Sequence, residues 1–386
     1  MRIFEEKQCF IDQAGKIIPR SCIFHGSPQK PMAGRVFMHE ALFYQKAKNG
    51  TSPVQCFLCQ HHCRIKEGKR GFCKVRENQR GTLYSLNYGR LISENIDPIE
   101  KKPIFHLLPG SRSYSIATVG CNFRCKHCQN YEISQFPRFH EGAIPGTLRS
   151  PAEVVEAAQH AGCASISYTY VEPTIFYEFA LDCSRLAQSR GLRNIFVSNG
   201  YTGPEAMREL APCLDANNID LKAFTDKFYK EVCQARLQPV LDTITLTHSL
   251  GIWLEVTTLV IPGWNDSEPE LRDIARFVKG ISPDIPWHVS RFWPTHEMID
   301  RPPTPRSTLI RAREIGLEEG LRYVYMGNLP EEGGENTLCP VCGALVIERA
   351  GFSVGRQLLR GNTCGNCQTP IAGVFSPALP EPTAKA

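Results

Sequence analysis

Ser115-Ile116-Ala117-Thr118-Val119-Gly120-Cys121-Asn122-Phe123-Arg124-Cys125-Lys126-His127-Cys128 is the stretch on which the fold turns. Its first five residues form a short β-rich apolar run, Gly120 lets the backbone bend, and three cysteines spaced C-x3-C-x2-C follow at once. From here to Asn328 one unit recurs: an apolar strand, a polar loop, then a helix with apolar residues on one face. Further strands are expected at Ser165–Val171, Asn194–Ser198, Asn218–Leu221, Trp253–Val260, Trp287–Phe292 and Arg322–Met326. Ser150-Pro151-Ala152-Glu153 is a capping box opening a helix with Val154, Ala158 and Ala161 on one face and Gly162 at its end. Phe176, Phe179, Ala180, Cys183, Leu186 and Ala187 form the next stripe, closed by Gly191. Leu271, Ile274, Ala275 and Val278 form a third, with Gly280 as the expected stop.

Strand–helix alternation of this kind gives a parallel sheet with right-handed crossovers. Six or seven units exceed a small open sheet and fall short of a closed eightfold barrel, so the expected fold is α/β, a partial (β/α)6 TIM-like barrel. Function in such a fold belongs at the strand ends. Glu172 follows the second strand, Ser198-Asn199-Gly200 closes the third, Asp220 and Lys222 close the fourth, and His288 and Arg291 fall on the sixth. Polar groups at successive strand ends above a cysteine loop mark the candidate site.

The rest of the composition bounds the answer. The chain has 386 residues, 42% hydrophobic and 22% charged, which excludes disordered, collagen-like and coiled-coil chains. No apolar run approaches the roughly 20 residues needed to span a bilayer. MRIFEEKQCFIDQAGK at the start has no apolar signal region, so a cytoplasmic location is expected. The net charge of +5 is mild. Four regions are expected: an extension over residues 1–35, a Cys-rich metal-binding segment over 36–112, the barrel over 113–330, and a C-terminal module over 331–386 with a Pro/Ala-rich tail after Phe375.

The 17 cysteines are too many for a reducing compartment without metal or redox sites. Eleven fall in three groups. Cys121, Cys125 and Cys128 offer three thiolates, one short of a tetrahedral zinc site and suited to a [4Fe-4S] cluster with one iron left open. Cys339, Cys342, Cys364 and Cys367 form two C-x2-C knuckles, the ligand set of a zinc-ribbon-like module, with a single rubredoxin-like iron as the competitor. Cys56, Cys59, Cys63 and Cys73 are expected to bind zinc or an auxiliary iron–sulfur cluster, with His61 and His62 as possible substitutes. Cys9, Cys22, Cys163, Cys183, Cys213 and Cys233 stand alone and read as small buried hydrophobes.

Gly120 to Asn130 resembles the signature of radical S-adenosylmethionine (radical SAM) enzymes. Cys56–Cys63, Asp97–Pro103, Thr118–Phe123, Tyr170–Thr174, Asp220–Lys222 and Ile261–Asp266 extend the resemblance to the AmmeMemoRadiSam-system enzymes, relatives of the activating enzymes of glycyl-radical proteins. The resemblance implies that Cys121, Cys125 and Cys128 hold a [4Fe-4S] cluster, which cleaves S-adenosylmethionine to a 5′-deoxyadenosyl radical that abstracts hydrogen from a substrate. It implies that Glu172 meets the SAM amine, that Ser198 and Asn199 lie near SAM, and that Lys222, beside Asp220, pairs with its carboxylate. His127 stands where an aromatic residue commonly packs by the adenine, and the Val260–Gly263 turn would line the adenosyl group. Tyr170-Val171-Glu172 replaces the usual Gly-Gly-Glu. Implied partners are a flavodoxin or ferredoxin as electron donor and Memo-like and AMMECR-type proteins. The alternatives from other classes are an RNA-binding or RNA-modifying iron–sulfur protein and a non-catalytic zinc scaffold. Against nucleic acid, Lys66-Glu67-Gly68-Lys69-Arg70 is the one short basic run.

Overall fold

Alternating apolar strands and one-faced helices assemble into an eight-stranded sheet whose spatial order is the chain order. The strands are β1 (Ser93–Pro98), β2 (Arg112–Ala117), β3 (Ser165–Tyr168), β4 (Arg193–Ser198), β5 (Ala216–Asp220), β6 (Trp253–Val260), β7 (Trp287–Arg291) and β8 (Val324–Gly327). β2 to β8 run parallel, each beside its predecessor, while β1 pairs antiparallel with β2. Among the described residues β1 and β8 do not pair with each other. This computed structural model describes residues 38–46, 53–329 and 333–375, with the backbone of Phe10–Ile11 and Ile17–Ile18, which pair antiparallel. Contacts divide the chain into Met1–Phe37 and Met38–Ala386. Cys9, Cys22, most of the expected extension and the tail beyond Phe375 lie outside the described residues.

All seven expected strands are present, with ends shifted by a few residues. The sequence reading missed β1. Its residues Ser93-Glu94-Asn95-Ile96-Asp97-Pro98 contain one large apolar side chain, Ile96, and that one is exposed. The strand forms because β2 offers it an unpaired edge, so no hydrophobic period announces it.

The helices are α1 (Pro151–His160), α2 (Tyr177–Ser189), α3 (Pro204–Leu210), α4 (Gln238–Ser249), α5 (Glu268–Ile281) and α6 (Arg306–Glu318). The α1 capping box is realised: Glu153 N–H donates to Ser150 Oγ at 3.3 Å and Ser150 N–H to Glu153 Oε2 at 2.7 Å. α2 buries Tyr177, Phe179, Ala180, Leu181, Cys183 and Ala187. Removing a ring such as Phe179 from this packing costs about 3–5 kcal/mol. Gly280 does not stop α5 as expected; the helix continues through Ile281 and ends where Ser282 turns extended.

The C-terminal segment adds an antiparallel meander of Thr337–Leu338, Leu345–Ala350 and Ser353–Gln357. Phe105, Tyr323, Tyr325, Val346, Ile347 and Ile371 form its core with the start of β8. Buried Arg349 crosses the joint, donating to Phe105 O and Thr337 Oγ1 at 2.7 Å each. The module thus covers the N-terminal ends of the parallel strands. The segment around Cys56–Cys73 lies at the other end: Gln60 N–H donates to Tyr201 O at 3.1 Å and Gly203 N–H to Leu58 O at 2.8 Å, just beyond the end of β4.

Candidate functional site

Cys121, Cys125 and Cys128 sit on the loop leaving β2, at the C-terminal ends of the parallel strands. The loop is pinned from both sides. Arg124 N–H donates to Cys233 O at 2.9 Å, Lys126 N–H to Val232 O at 3.0 Å, and Gln135 Nε2 to Phe123 O at 3.1 Å. Gly120, at φ +101°, precedes it where a Cβ would stand 2.6 Å from Val75 Cγ1 and 3.1 Å from Cys73 O. The three thiols are close enough to feel one another's charge, and burial pushes Cys128 up to about 11. Cys125 is raised chiefly by a hydrogen bond with the Cys233 thiol.

Glu172 is buried at the end of β3 and caps the short turn Pro173–Phe176. Its Oε1 accepts from Thr174 N–H at 3.1 Å, Thr174 Oγ1 at 2.6 Å and Ser198 Oγ at 2.9 Å. Its Oε2 accepts from Asn199 N–H at 2.7 Å. Three donors thus converge on Oε1 and one on Oε2, which keeps a lone pair free. Burial raises its pKa while these donors hold it down. Asn199 Nδ2 donates to Asn122 Oδ1 at 2.8 Å, tying the end of β4 to the cysteine loop.

Lys222 Nζ lies 2.7 Å from Asp220 Oδ2. Burial opposes its charge, but Asp220 and the thiols of Cys125 and Cys233 outweigh burial and hold it well above its ordinary value. A cation therefore stands beside the thiols. Asn265, buried in the turn after β6, donates to Lys222 O at 2.6 Å and Leu259 O at 2.9 Å and accepts from Ile261 N–H at 2.6 Å. His127 is buried, and burial with the nearby Lys222 charge lowers its pKa to about 3.

The structure therefore brings Cys121, Cys125, Cys128, His127, Glu172, Ser198, Asn199, Asp220 and Lys222 to one end of the sheet. His288 is not with them. It lies in the lower half of β7 and donates to Glu255 Oε2 at 2.7 Å, because it is the second residue of its strand rather than the last. Arg291 does reach the strand end, where it donates to Thr304 O at 2.9 Å. Sequence reading assigned no role to Asn122, Thr174, Asn265 or Cys233. Thr174 and Asn265 stand in segments already singled out. Cys233 is buried, as expected of a lone cysteine, yet its thiol meets Cys125, a contact between loops far apart in sequence. Cys163, Cys183 and Cys213 are buried in the apolar core.

Two orphaned atoms test whether the loop suits a bound cluster and nucleoside. His127 Nδ1 and Asn122 Nδ2 are buried without a hydrogen-bond partner. Leaving a buried polar atom unpaired costs about 1–3 kcal/mol. Three converging thiols, a neighbouring cation and unused polar atoms on the same loop are the donor set that a three-cysteine cluster with a polar ligand requires.

At the opposite end, Cys339, Cys342, Cys364 and Cys367 place their sulfurs within 4.8 Å of one another. Cys339 Sγ and Cys367 Sγ are 3.6 Å apart, and Cys342 Sγ and Cys364 Sγ 3.8 Å. Four thiolates about 2.3 Å from one tetrahedral ion stand at about this spacing. No helix of the described residues is long and apolar enough to cross a membrane.

Comparison with known proteins follows the same lines. The radical SAM superfamily matches residues 115–275. An uncharacterized protein of Methanocaldococcus jannaschii is 50% identical over 317 residues, 82% of this chain and 93% of that protein. A second protein of that organism, whose name assigns it provisionally to the glycyl-radical enzyme activating enzymes, is 22% identical over 54% of this chain and 78% of its own. Mitochondrial GTP 3′,8-cyclase of Arabidopsis thaliana is 26% identical, covering 78% of each chain.

Proposed function

Because this chain belongs to the radical SAM superfamily, we propose that it is an enzyme whose Cys121, Cys125 and Cys128 hold the SAM-binding [4Fe-4S] cluster and whose remaining strand-end residues bind S-adenosylmethionine. The observation that carries the reading is the meeting of three thiols, Lys222 and the Glu172–Asn199 bracket on one loop cluster. When bound there, the reduced cluster supplies the electron that splits S-adenosylmethionine into methionine and a 5′-deoxyadenosyl radical, which takes hydrogen from a substrate.

The chain's own residues bind and orient. Lys222 offsets the thiolate charge and faces the SAM carboxylate, held by Asp220 at 2.7 Å. Glu172 offers the SAM amine its negative charge and the lone pair left on Oε2, which accepts one donor only, and through Asn199 N–H it fixes the end of β4. Asn199 and Ser198 line the same edge. His127, neutral at physiological pH, presents an aromatic ring and the unpartnered Nδ1 to the adenine. Seven parallel strands in sequence order support a partial barrel.

The C-terminal four cysteines are read as a structural zinc site of the ribbon type, on their sulfur spacing. A flavodoxin- or ferredoxin-class protein would supply the electron. The Asp97–Pro103 and Ile261–Asp266 segments support a place in the AmmeMemoRadiSam system, with Memo-like and AMMECR-type proteins as partners and a radical installed on a protein or small metabolite. The test is direct. Anaerobically reconstituted protein with dithionite should convert SAM to 5′-deoxyadenosine, and Cys125→Ala should abolish it. Undiminished turnover in that variant would remove the assignment.

A further inference from the structure

Where β1, β2 and β3 adjoin, the sheet face turned away from the helices is polar. Tyr114, Ile116, Ile166 and Tyr168 pack into one core with Val154 of α1 and Phe179 of α2. Side chains alternate along a strand, so Ser113, Ser115, Ser165 and Ser167 point the other way, and all four are buried. The strand register extends them into two rows, Asp97–Ser113–Ser165 and Asn95–Ser115–Ser167. The interior of a parallel barrel is ordinarily filled by bulky branched residues. Short polar side chains in both rows suit a polar ligand rather than a packed core.

A buried cation faces these rows. Lys102 is 1% exposed, and its Nζ donates to Asp97 Oδ2 at 2.5 Å. The Tyr170 hydroxyl donates to the same oxygen, and Lys102 Nζ stands 4.6 Å from the centre of the Tyr170 ring. An ammonium has three N–H donors. Asp97 takes one and the ring face attracts a second, and among the described residues no other acceptor lies within hydrogen-bond distance. Ser115 Oγ is likewise buried with no partner at hydrogen-bond distance, although it is near enough to influence the Tyr170 hydroxyl. A donor on Lys102 and a hydroxyl on Ser115 are thus both unused beside Tyr170.

The charge is also unbalanced. Asp97 accepts from Lys101 Nζ at 2.9 Å as well, so one carboxylate faces two ammonium groups. Among the described residues, Asp97 and Lys101 are the charges that act on Lys102. Burial lowers Lys102 from its ordinary value to about 8, and a second anion would offset that burial. Tyr170 ties the cluster to the cysteine loop. Its carbonyl accepts from Asn130 Nδ2 at 2.8 Å, two residues after Cys128, and it precedes Glu172 by two residues. Its φ of +62° is one that a tyrosine rarely adopts, and the contacts at both ends of the residue hold its ring over Lys102.

We infer that Lys102 anchors the substrate, a small molecule bearing a carboxylate or phosphate group, with Ser115 and the Tyr170 ring beside it. What then happens to that substrate rests on the radical SAM reading; the anion site itself stands on this geometry. The anion takes the free N–H of Lys102 and balances the second ammonium, and Ser115 Oγ donates to one of its oxygens. From there β2 leads to the cysteine loop, six residues beyond Ser115. Lys102 and Asp97, 1% and 5% exposed, lie too deep for the surface of a protein partner to reach, which favours a small molecule.

The experiment is equilibrium dialysis of the reconstituted protein against radiolabelled inorganic phosphate and, separately, succinate, at neutral pH and low ionic strength. Wild type should bind at least one of them saturably, at a single class of site. Lys102→Met should weaken that binding roughly tenfold to a hundredfold, as one charge-assisted hydrogen bond is lost. Asp97→Asn removes the competing carboxylate and should tighten it roughly tenfold. An ion pair that served the fold alone would shift neither affinity, so equal binding by all three proteins overturns the inference, as does wild type that binds neither anion. Should Lys102→Met not fold, Asp97→Asn decides: no gain in affinity ends the site. Tighter binding of phosphate assigns a phosphate-bearing substrate, and tighter binding of succinate a carboxylate. Formation of 5′-deoxyadenosine by wild type is measured in the same preparation. Its absence removes the radical SAM reading and leaves the anion site, whereas its presence without anion binding does the reverse.

Discussion

Glu172 Oε2 accepts the backbone N–H of Asn199 at 2.7 Å, joining the ends of two adjacent parallel strands directly beside the cysteine loop. Asn199 passes the restraint on to Asn122 at 2.8 Å. A carboxylate with four donors thus sets the position of the groups that would surround SAM.

Glu172→Gln keeps the shape but removes the charge and turns one acceptor oxygen into a donor facing donors. SAM dissociation constants should rise roughly tenfold to a hundredfold, with iron content unchanged. Equilibrium binding to reconstituted protein measures this, and unaltered affinity would show that Glu172 serves the fold alone.

Gly120→Ala places a methyl group 2.6 Å from Val75 Cγ1, at a φ of +101° that an L-residue rarely adopts. The variant should lose about 1–3 kcal/mol of stability and load less iron on the Cys121 loop. Denaturant melts with metal analysis check both, and a wild-type melt would contradict the close approach of the two segments.

The C-terminal sulfurs sit at the far end of the sheet. Cys364→Ala should release one zinc per chain and lower the melting temperature, while SAM cleavage persists at temperatures below the melt. Loss of cleavage in folded, iron-loaded variant would show that the two ends are functionally connected.

His106 gives the stability a pH dependence. It is buried, donates from Nδ1 to Ala372 O at 2.6 Å and accepts from Tyr325 Oη at Nε2 at 2.5 Å, which holds it neutral. Burial lowers its pKa from 6.5 to about 4. Between those values the unfolded chain binds the proton and the native one does not. The contribution is therefore whole above pH 6.5, declines by about 3 kcal/mol as pH falls toward 4, and is flat below. His106→Gln should flatten that part of the denaturation profile relative to wild type; an equal slope would mean that other groups carry it.

The parallel strands were legible because each is an apolar run bounded by turn residues, and the cysteine groups because spacing along the chain sets which thiols share a loop. β1 was not, because its polar residues are held by an edge supplied by β2. His288 falls on the expected strand, but periodicity locates a strand and not which of its residues stands at the end.

The order of residues alone determined that three thiolates would share the loop after a strand, that four more would form paired knuckles, and that the ends of parallel strands would carry Glu172, Asn199 and Lys222. Local spacing suffices for each, since all those relationships span a few residues. Only tertiary structure decided that Cys73 lies against Gly120, that His61 reaches Asn122, and that the two four-cysteine groups occupy opposite ends of the sheet. Those contacts join segments from far along the chain, and their distances follow from how strands, helices and loops pack rather than from any pattern within one of them.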